Sequence, residues 1–126
     1  KWAAEKKKAM AGAADDPTKT MSKEDLMARG EKVFASNCVA CHHANGKGLP
    51  DTFPALDGDV KYVLAPMKGQ ILTVLNGHPG TAMAAFRDQL NDVEIASVIT
   101  YTRNAWGNAG KGPDPIVQPS NVTELR

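Results

Sequence analysis

The feature that most constrains this chain is a pair of cysteines followed at once by a histidine. The sequence reads CVACH over residues 38–42, and Cys38 and Cys41 are the only cysteines among the 126 residues. Such a pair has several chemical uses. A thioredoxin-like redox pair is preceded by a strand in a βαβ context, and a zinc site needs a second pair of Cys or His ligands at similar spacing. A structural disulfide is a third alternative.

A fourth use is covalent haem attachment, which requires a histidine directly after the second cysteine, and His42 meets this requirement. Residues three and four apart share a helix face, so two thiols and one imidazole converge on one flat ligand if the motif is helical. The thiols can form thioethers with the porphyrin's vinyl groups. The sequence therefore predicts one covalent haem c, attached at Cys38 and Cys41, with His42 as an iron ligand.

Met83 is the predicted second iron ligand. A thioether is a soft ligand that favours ferrous iron and raises the reduction potential, as in cytochromes with one histidine and one methionine ligand. Small residues flank Met83 at positions 81–82 and 84–85, and they allow a loop to lie close to a flat macrocycle.

Other side chains could compete for that position. Met67 is the rival methionine, but its helical spacing from Ile71 is typical of core packing. His78 could act as the second imidazole of a bis-histidine haem, with a surface loop as the alternative. His43 adjoins His42, so on a helix it points about 100° away from the iron ligand, which predicts a surface position.

The second nitrogen of the His42 imidazole needs a hydrogen-bond partner, because that bond orients the ring. The backbone carbonyl of Pro54 is the candidate, since proline keeps its acceptor and a rigid loop positions it. The haem propionates also need donors. Tyr62, Arg87 and Trp106 are candidates, with ordinary packing or surface exposure as the alternative for each.

The apolar periodicity predicts an all-α chain with long loops. A first helix begins with the cap Ser22 and runs up to, and partly through, the cysteine pair. A second helix starts near Pro66 and ends at Asn76. The last helix runs from Asn91 to Gly107, and no segment shows a convincing strand pattern with period 2.

The predicted domain covers residues 22–107. Residues 1–21 are predicted to be a solvated tether, and the Gly- and Pro-rich residues 108–126 an extended C-terminal tail. The net charge is only +1, from 15 basic and 14 acidic residues, which argues against a nucleic-acid-binding protein. No stretch approaches the ~20 apolar residues of a membrane span.

Several stretches resemble the class I cytochrome c family. Gly30 and Phe34 in the first helix, with Tyr101 in the last, match the place where that family's terminal helices cross. Residues 53–58 (FPALDG) resemble the loop whose proline carbonyl bonds the proximal histidine. The likeness covers about residues 22–106. It implies a class I cytochrome c fold, with three to five helices and long loops around one covalently bound haem.

A finer likeness is to the cytochrome c domain at the C-terminus of subunit II in bacterial cytochrome c-containing haem–copper oxidases. Residues 46–50, 76–83 and 90–108 carry it, and the run Thr100–Trp106 is the most specific part. This likeness implies that a donor cytochrome or quinol-oxidising complex reduces the haem, which then reduces the copper centre of subunit II. The expected parent is membrane-anchored, on the periplasmic or extracytoplasmic face of a bacterial inner membrane.

Three functions remain open on the sequence alone. The first is an oxidase-associated electron-transfer domain of a respiratory chain, and the second is a free periplasmic cytochrome c carrier. The third is catalytic, as a haem peroxidase or a dithiol oxidoreductase. Two protein ligands leave no open iron position for oxygen or peroxide, so we expect an electron carrier that is not an enzyme by itself.

Overall fold

The computed structural model describes residues 16–38, 56, 58, 63–77 and 85–126, and they form four α-helices. These are α1 (Lys23–Asn37), α2 (Met67–Asn76), α3 (Asp92–Asn104) and α4 (Pro119–Leu125). Within these ranges no residue is in a strand. The predicted all-α class is therefore confirmed, and the helices agree with a class I cytochrome c fold.

The first turns of α1 and α3 are stabilised by their predicted caps. The Ser22 hydroxyl oxygen accepts a hydrogen bond from the Asp25 N–H at 3.1 Å. At α3, the Asn91 side-chain oxygen accepts from the Glu94 N–H at 2.8 Å, and the Glu94 carboxylate accepts from the Asn91 N–H at 3.0 Å. This reciprocal pair satisfies two donors that the helix itself leaves without partners.

The crossing of α1 and α3 depends on Gly30. A Cβ atom at this position would lie 2.1 Å from the Ser97 carbonyl oxygen and 2.6 Å from the Tyr101 Cβ. Only a residue without a side chain allows the two backbones to approach this closely. The rest of the buried face of α1 consists of Leu26, Val33 and Phe34.

Helix α3 is the centre of the described core, because nine of its 13 residues are buried. It contacts α1, α2 and α4. Burial of apolar side chains is the main favourable term in folding, so this helix contributes most to holding the others together. The largest fully buried apolar side chains are Leu26, Val63, Ile71, Leu75, Val93, Ile95, Ile99, Val117 and Val122.

The C-terminal region differs from the predicted extended tail. Residues 119–125 form α4, and Val117, Pro119 and Val122 are fully buried. Pro119 occupies an early helical position, where its fixed φ favours helix formation. The Gln118 N–H donates to the Asn121 side-chain oxygen at 2.9 Å, which satisfies a donor at the start of the helix. The Gly and Pro content indicated an extended chain, but apolar residues spaced along this segment pack against the core.

The packed core also reaches past the predicted start of the domain. Met21 packs against the core cluster. Its N–H donates to the Gln118 side-chain oxygen at 2.8 Å, and its carbonyl accepts from the Gln118 side-chain N–H at 3.0 Å. Met21, which lies just before α1, is therefore joined to Gln118, the N-cap of α4.

Candidate haem site

Of the residues predicted to bind the haem, Cys38 lies in the described part of the chain. Cys41, His42, Pro54 and Met83 lie outside the described residues. The same is true of Tyr62, a candidate propionate donor, and of the other two histidines, His43 and His78. The structure therefore locates one of the two predicted attachment points and the elements that precede and follow the others.

Cys38 is the C-cap of α1 and is partly buried. Its N–H donates to the Phe34 carbonyl at 2.8 Å, so the last turn of the helix holds it. Phe34 is only 2% exposed, which ties Cys38 to the core. Since α1 ends at Asn37, the expectation that this helix runs partly through the cysteine pair is corrected.

Partly exposed apolar side chains surround the core on the described part of the chain. They include Cys38, Leu56, Met67, Val74, Phe86 and Trp106. Met67 is the first residue of α2 and packs against the core, as its core-packing interpretation predicts. A flat apolar macrocycle would cover side chains of this kind. A thiol at an ordered helix end, with a second thiol and an imidazole close behind it in the sequence, is a donor set that fits haem c.

Three aromatic rings from α1, α3 and the chain after α3 pack together. The Phe34 ring centroid lies 5.5 Å from both the Tyr101 and the Trp106 centroids, and those two lie 5.8 Å apart. Tilted and edge-on contacts at these distances are favourable. Burial raises the pKa of the Tyr101 hydroxyl, and the charge of Glu31 adds to this effect.

Trp106 has a backbone φ of +56°, a region that bulky residues rarely adopt. The conformation costs about 1–3 kcal/mol and persists only where surrounding contacts enforce it. The aromatic contacts with Phe34 and Tyr101 supply part of that enforcement. The chain thus leaves α3 in a fixed direction.

Arg103 is a buried cation that links α3 to α2 and two connecting segments. Its side chain is 2% exposed. The guanidinium donates to the Gln70 side-chain oxygen at 3.0 Å and to the carbonyls of Ala65 and Pro113 at 2.7 Å each. Gln70 in turn donates to the Thr102 hydroxyl at 2.8 Å. Buried charge is tolerated only where its donors are satisfied in this way.

Asp114 caps α2 from a distant part of the chain. Its carboxylate accepts the Met67 N–H at 3.0 Å, and the helix has no capping side chain of its own. Burial lowers the pKa of the Arg103 guanidinium, whereas the charge of Asp114 acts in the opposite direction. The chain before Asp114 can approach the chain before Met67 closely because Gly112 lies against Leu64. A Cβ atom at Gly112 would lie 2.8 Å from the Leu64 Cα.

Asn108 holds the residues that follow the predicted Pro54 loop position. Its side-chain N–H groups donate to the Leu56 carbonyl at 3.0 Å and to the Thr102 carbonyl at 2.8 Å. Its side-chain oxygen accepts the Gly58 N–H at 2.7 Å. The fully buried Asn108 thus joins this loop to the end of α3.

The sequence pattern assigned no role to Arg103, Asp114 or Asn108. One signal was available for Arg103, because it continues the buried stripe of Ile95 and Ile99 at a spacing of four residues. An arginine on such a stripe predicts a buried, fully bonded cation. Asp114 and Asn108 carry no comparable local signal.

Two features are absent from the described residues. These residues contain no group of three or more His, Cys, Asp or Glu side chains placed to hold a metal ion. In the same ranges, no helix has the length and apolar character needed to cross a membrane.

Comparison with known proteins decides the family. The model of the family "Cytochrome C oxidase, cbb3-type, subunit III" matches residues 25–101, which is more than half of the chain. The chain belongs to the cytochrome c family. Members of this family bind haem c covalently and carry electrons on its iron, and such a domain is not an enzyme by itself.

The relatives of this cytochrome include small proteins and larger subunits. Cytochrome c-552 of Thermus thermophilus is 39% identical over 97 residues, which span 67% of this chain and 72% of that protein. Cytochrome c6 of Cladophora glomerata is 33% identical over 78 residues, which span 61% of this chain and 86% of that protein. Cbb3-type cytochrome c oxidase subunit FixP of Bradyrhizobium sp. (strain ORS 278) is 35% identical over 81 residues, which span 64% of this chain and 28% of that protein.

The extent of these matches differs between the two kinds of relative. This chain spans 64% of the length of a second Thermus cytochrome c-552 and 28% of the length of FixP. Cytochrome c domains are typically extracytoplasmic. The matches support a cytochrome c domain, and they do not by themselves favour subunit II of a haem–copper oxidase.

Proposed function

We propose that this cytochrome carries single electrons on a haem c attached at Cys38 and Cys41, with His42 and Met83 as the iron ligands. The observation that carries the proposal is the CVACH motif, which begins at the ordered end of α1 in a member of the cytochrome c family. When bound, the haem supplies a reversible exchange of one electron. Two protein ligands leave the iron no open position, so the protein sets the potential and does not activate a substrate.

The protein's own groups have distinct tasks in this proposal. The Met83 thioether favours the ferrous state and raises the potential. The Pro54 carbonyl accepts the second N–H of the His42 imidazole and orients the ring. Asn108 supports that loop indirectly, through its bonds to Leu56 and Gly58.

We further propose that the electrons pass to a terminal oxidase. In this route a donor cytochrome or quinol-oxidising complex reduces the haem, which then reduces the copper centre of oxidase subunit II. The family description and the relative FixP both name a cytochrome c oxidase, which supports an oxidase role. The parent would be anchored at the extracytoplasmic, or periplasmic, face of the membrane, and the part of the predicted tether before Met21 would link the domain to that anchor.

A free carrier is the second candidate. The match to small proteins named cytochrome c-552 and cytochrome c6, of which the chain spans 72% and 86%, favours it. The coding sequence upstream of Lys1 separates the two. Copper ligands and transmembrane segments there support the fused domain, whereas a signal peptide directly before Lys1 supports the free carrier.

The iron ligands are tested by absorption spectroscopy of the ferric holoprotein. A thioether bound to ferric iron gives a weak far-red band. We expect the band in the wild type, its loss in Met83→Ala and its retention in Met67→Ala, which serves as the matched control. A band that survives Met83→Ala, or disappears in Met67→Ala, contradicts the assignment.

A further inference from the structure

The chain on either side of residues 78–84 is joined by backbone hydrogen bonds. The Phe86 N–H donates to the Val74 carbonyl at 2.9 Å, and the Arg87 N–H donates to the Leu75 carbonyl at 3.2 Å. Residues 78–84, which include Met83, lie between these partners and outside the described residues. We call residues 74–76 together with 86–87 the loop base, because they close the segment that carries the proposed iron ligand.

The Arg87 side chain adds a third connection across the loop base, beside the two backbone hydrogen bonds. Its guanidinium donates to the Asn76 side-chain oxygen at 2.9 Å and to the Arg126 carbonyl at 2.8 Å. Asn76 is the last residue of α2, so one side chain links a residue before the segment to a residue after it. The second bond joins the loop base to the end of α4.

Arg126 holds the same region from the other side. Its guanidinium donates to the Asp92 carboxylate at 2.6 Å, to the Leu90 carbonyl at 2.8 Å and to the Arg87 carbonyl. The Asp92 side chain is only 12% exposed, so solvent screens this ion pair less than a pair on the open surface. Thr123 in α4 adds a hydrogen bond to the other Asp92 carboxylate oxygen.

We propose that Arg87 and Arg126 are positioning residues that keep the loop base closed and so strengthen the bond between Met83 and the iron. A closed base limits the conformations open to a dissociated Met83, which raises the chance that it rebinds. If the base opens, the dissociated state gains entropy, and an external ligand then competes more effectively for the iron. This inference rests on the proposed function, since it takes Met83 as the ligand.

The test uses the holoprotein with Arg87→Met, Arg126→Met and Asn76→Ala. Methionine keeps the aliphatic stem and removes the donors, while Asn76→Ala removes one acceptor at an exposed site and leaves Arg87 in place. Arg29→Met is the matched control. Arg29 forms an ion pair with Glu94, with 3.8 Å between the charged groups, and neither residue belongs to the loop base. Urea unfolding of each variant monitors global stability.

Two readouts report on the base and on the iron. Loss of one hydrogen bond should raise hydrogen exchange at the amides of residues 86 and 87 by about fivefold. Imidazole, titrated into ferric protein and followed by absorbance, should bind about three- to tenfold more tightly to Arg87→Met and Arg126→Met than to the wild type. Arg29→Met should match the wild type in both.

The outcomes separate this inference from the proposed ligand set. Unchanged exchange at residues 86 and 87 overturns the role of Arg87 in the base, whatever the iron ligand is. Faster amide exchange with unchanged imidazole affinity overturns the link to the iron. So does a change in imidazole affinity that is explained fully by the loss of global stability measured in urea. A far-red band that persists in Met83→Ala contradicts the proposed function instead, and the exchange rates still judge the loop base.

Discussion

Gly30 determines, as a single residue, how the helices of the N- and C-terminal halves meet. The atoms that a Cβ would strike belong to the α3 backbone and to the Cβ of Tyr101, so no side-chain rotation can relieve the contact. The two helices would have to separate, which would also disturb the ring contacts of Phe34 with Tyr101 and Trp106. Cys38 follows Phe34 by one helical turn, so this packing also affects the proposed haem attachment point.

Gly30→Ala should therefore destabilise the holoprotein by about 3 kcal/mol, because the helices must move apart to admit a methyl group. Urea unfolding followed by circular dichroism measures this change. Ser36→Ala, at an exposed position of the same helix, should stay within about 0.5 kcal/mol of the wild type. Equal stability of Gly30→Ala and the wild type would contradict the close crossing.

The candidate haem-binding motif could be recognised in the sequence because its residues lie close together in the chain. The spacing of Cys38, Cys41 and His42 is enough to predict haem attachment, and that prediction rests on no distant contact. The roles of Arg103 and Asn108 could not be predicted in this way, since their partners Ala65 and Leu56 lie 38 and 52 residues away. Only the folded chain brings such groups together, and a sequence pattern does not record it.

At the scale of elements, a helix cap could be predicted when its residues are close in the sequence but not when the capping residue is distant. The α3 cap uses Asn91 and Glu94, three residues apart, and it was predicted correctly. The start of α2 was also predicted, near Pro66, but not the side chain that caps it. Asp114 supplies that acceptor from 47 residues away.

The α2 cap is tested by two substitutions at Asp114, whose φ is +50°. Asp114→Asn keeps an acceptor oxygen and tolerates this φ, whereas Asp114→Gly relieves the backbone strain and removes the acceptor. We expect the glycine variant to lose about 1 kcal/mol of stability in urea and the asparagine variant to lose less. A glycine variant that is as stable as the asparagine variant would contradict this expectation.

For the whole molecule, the main revision concerns the chain after α3. The sequence pattern predicted an extended tail from its glycines and prolines. In the structure, Val117 and Val122 are fully buried and α4 is held by Arg126. Isolated apolar residues among turn formers gave no clear periodicity, so only tertiary packing explains why this segment folds.

Deletion of residues 117–126 should lower the thermal midpoint of the holoprotein by at least about 10 °C, because it exposes the core that two buried valines cover. Circular dichroism during heating measures the midpoint. Deletion of residues 1–15, within the predicted tether, should leave it nearly unchanged. If the C-terminal deletion variant has the same thermal midpoint as the wild type, this segment is a tail that does not stabilise the core.

The most direct test of the account is the intact mass of the denatured protein, made in cells with haem-attachment machinery, together with its reduced absorption spectrum. We predict c-type bands and a mass that includes one haem, which stays bound after unfolding and acid extraction. The double variant Cys38→Ser/Cys41→Ser should show neither. A wild-type mass equal to the bare polypeptide, without haem bands, would contradict the central claim and return the cysteine pair to redox or metal chemistry.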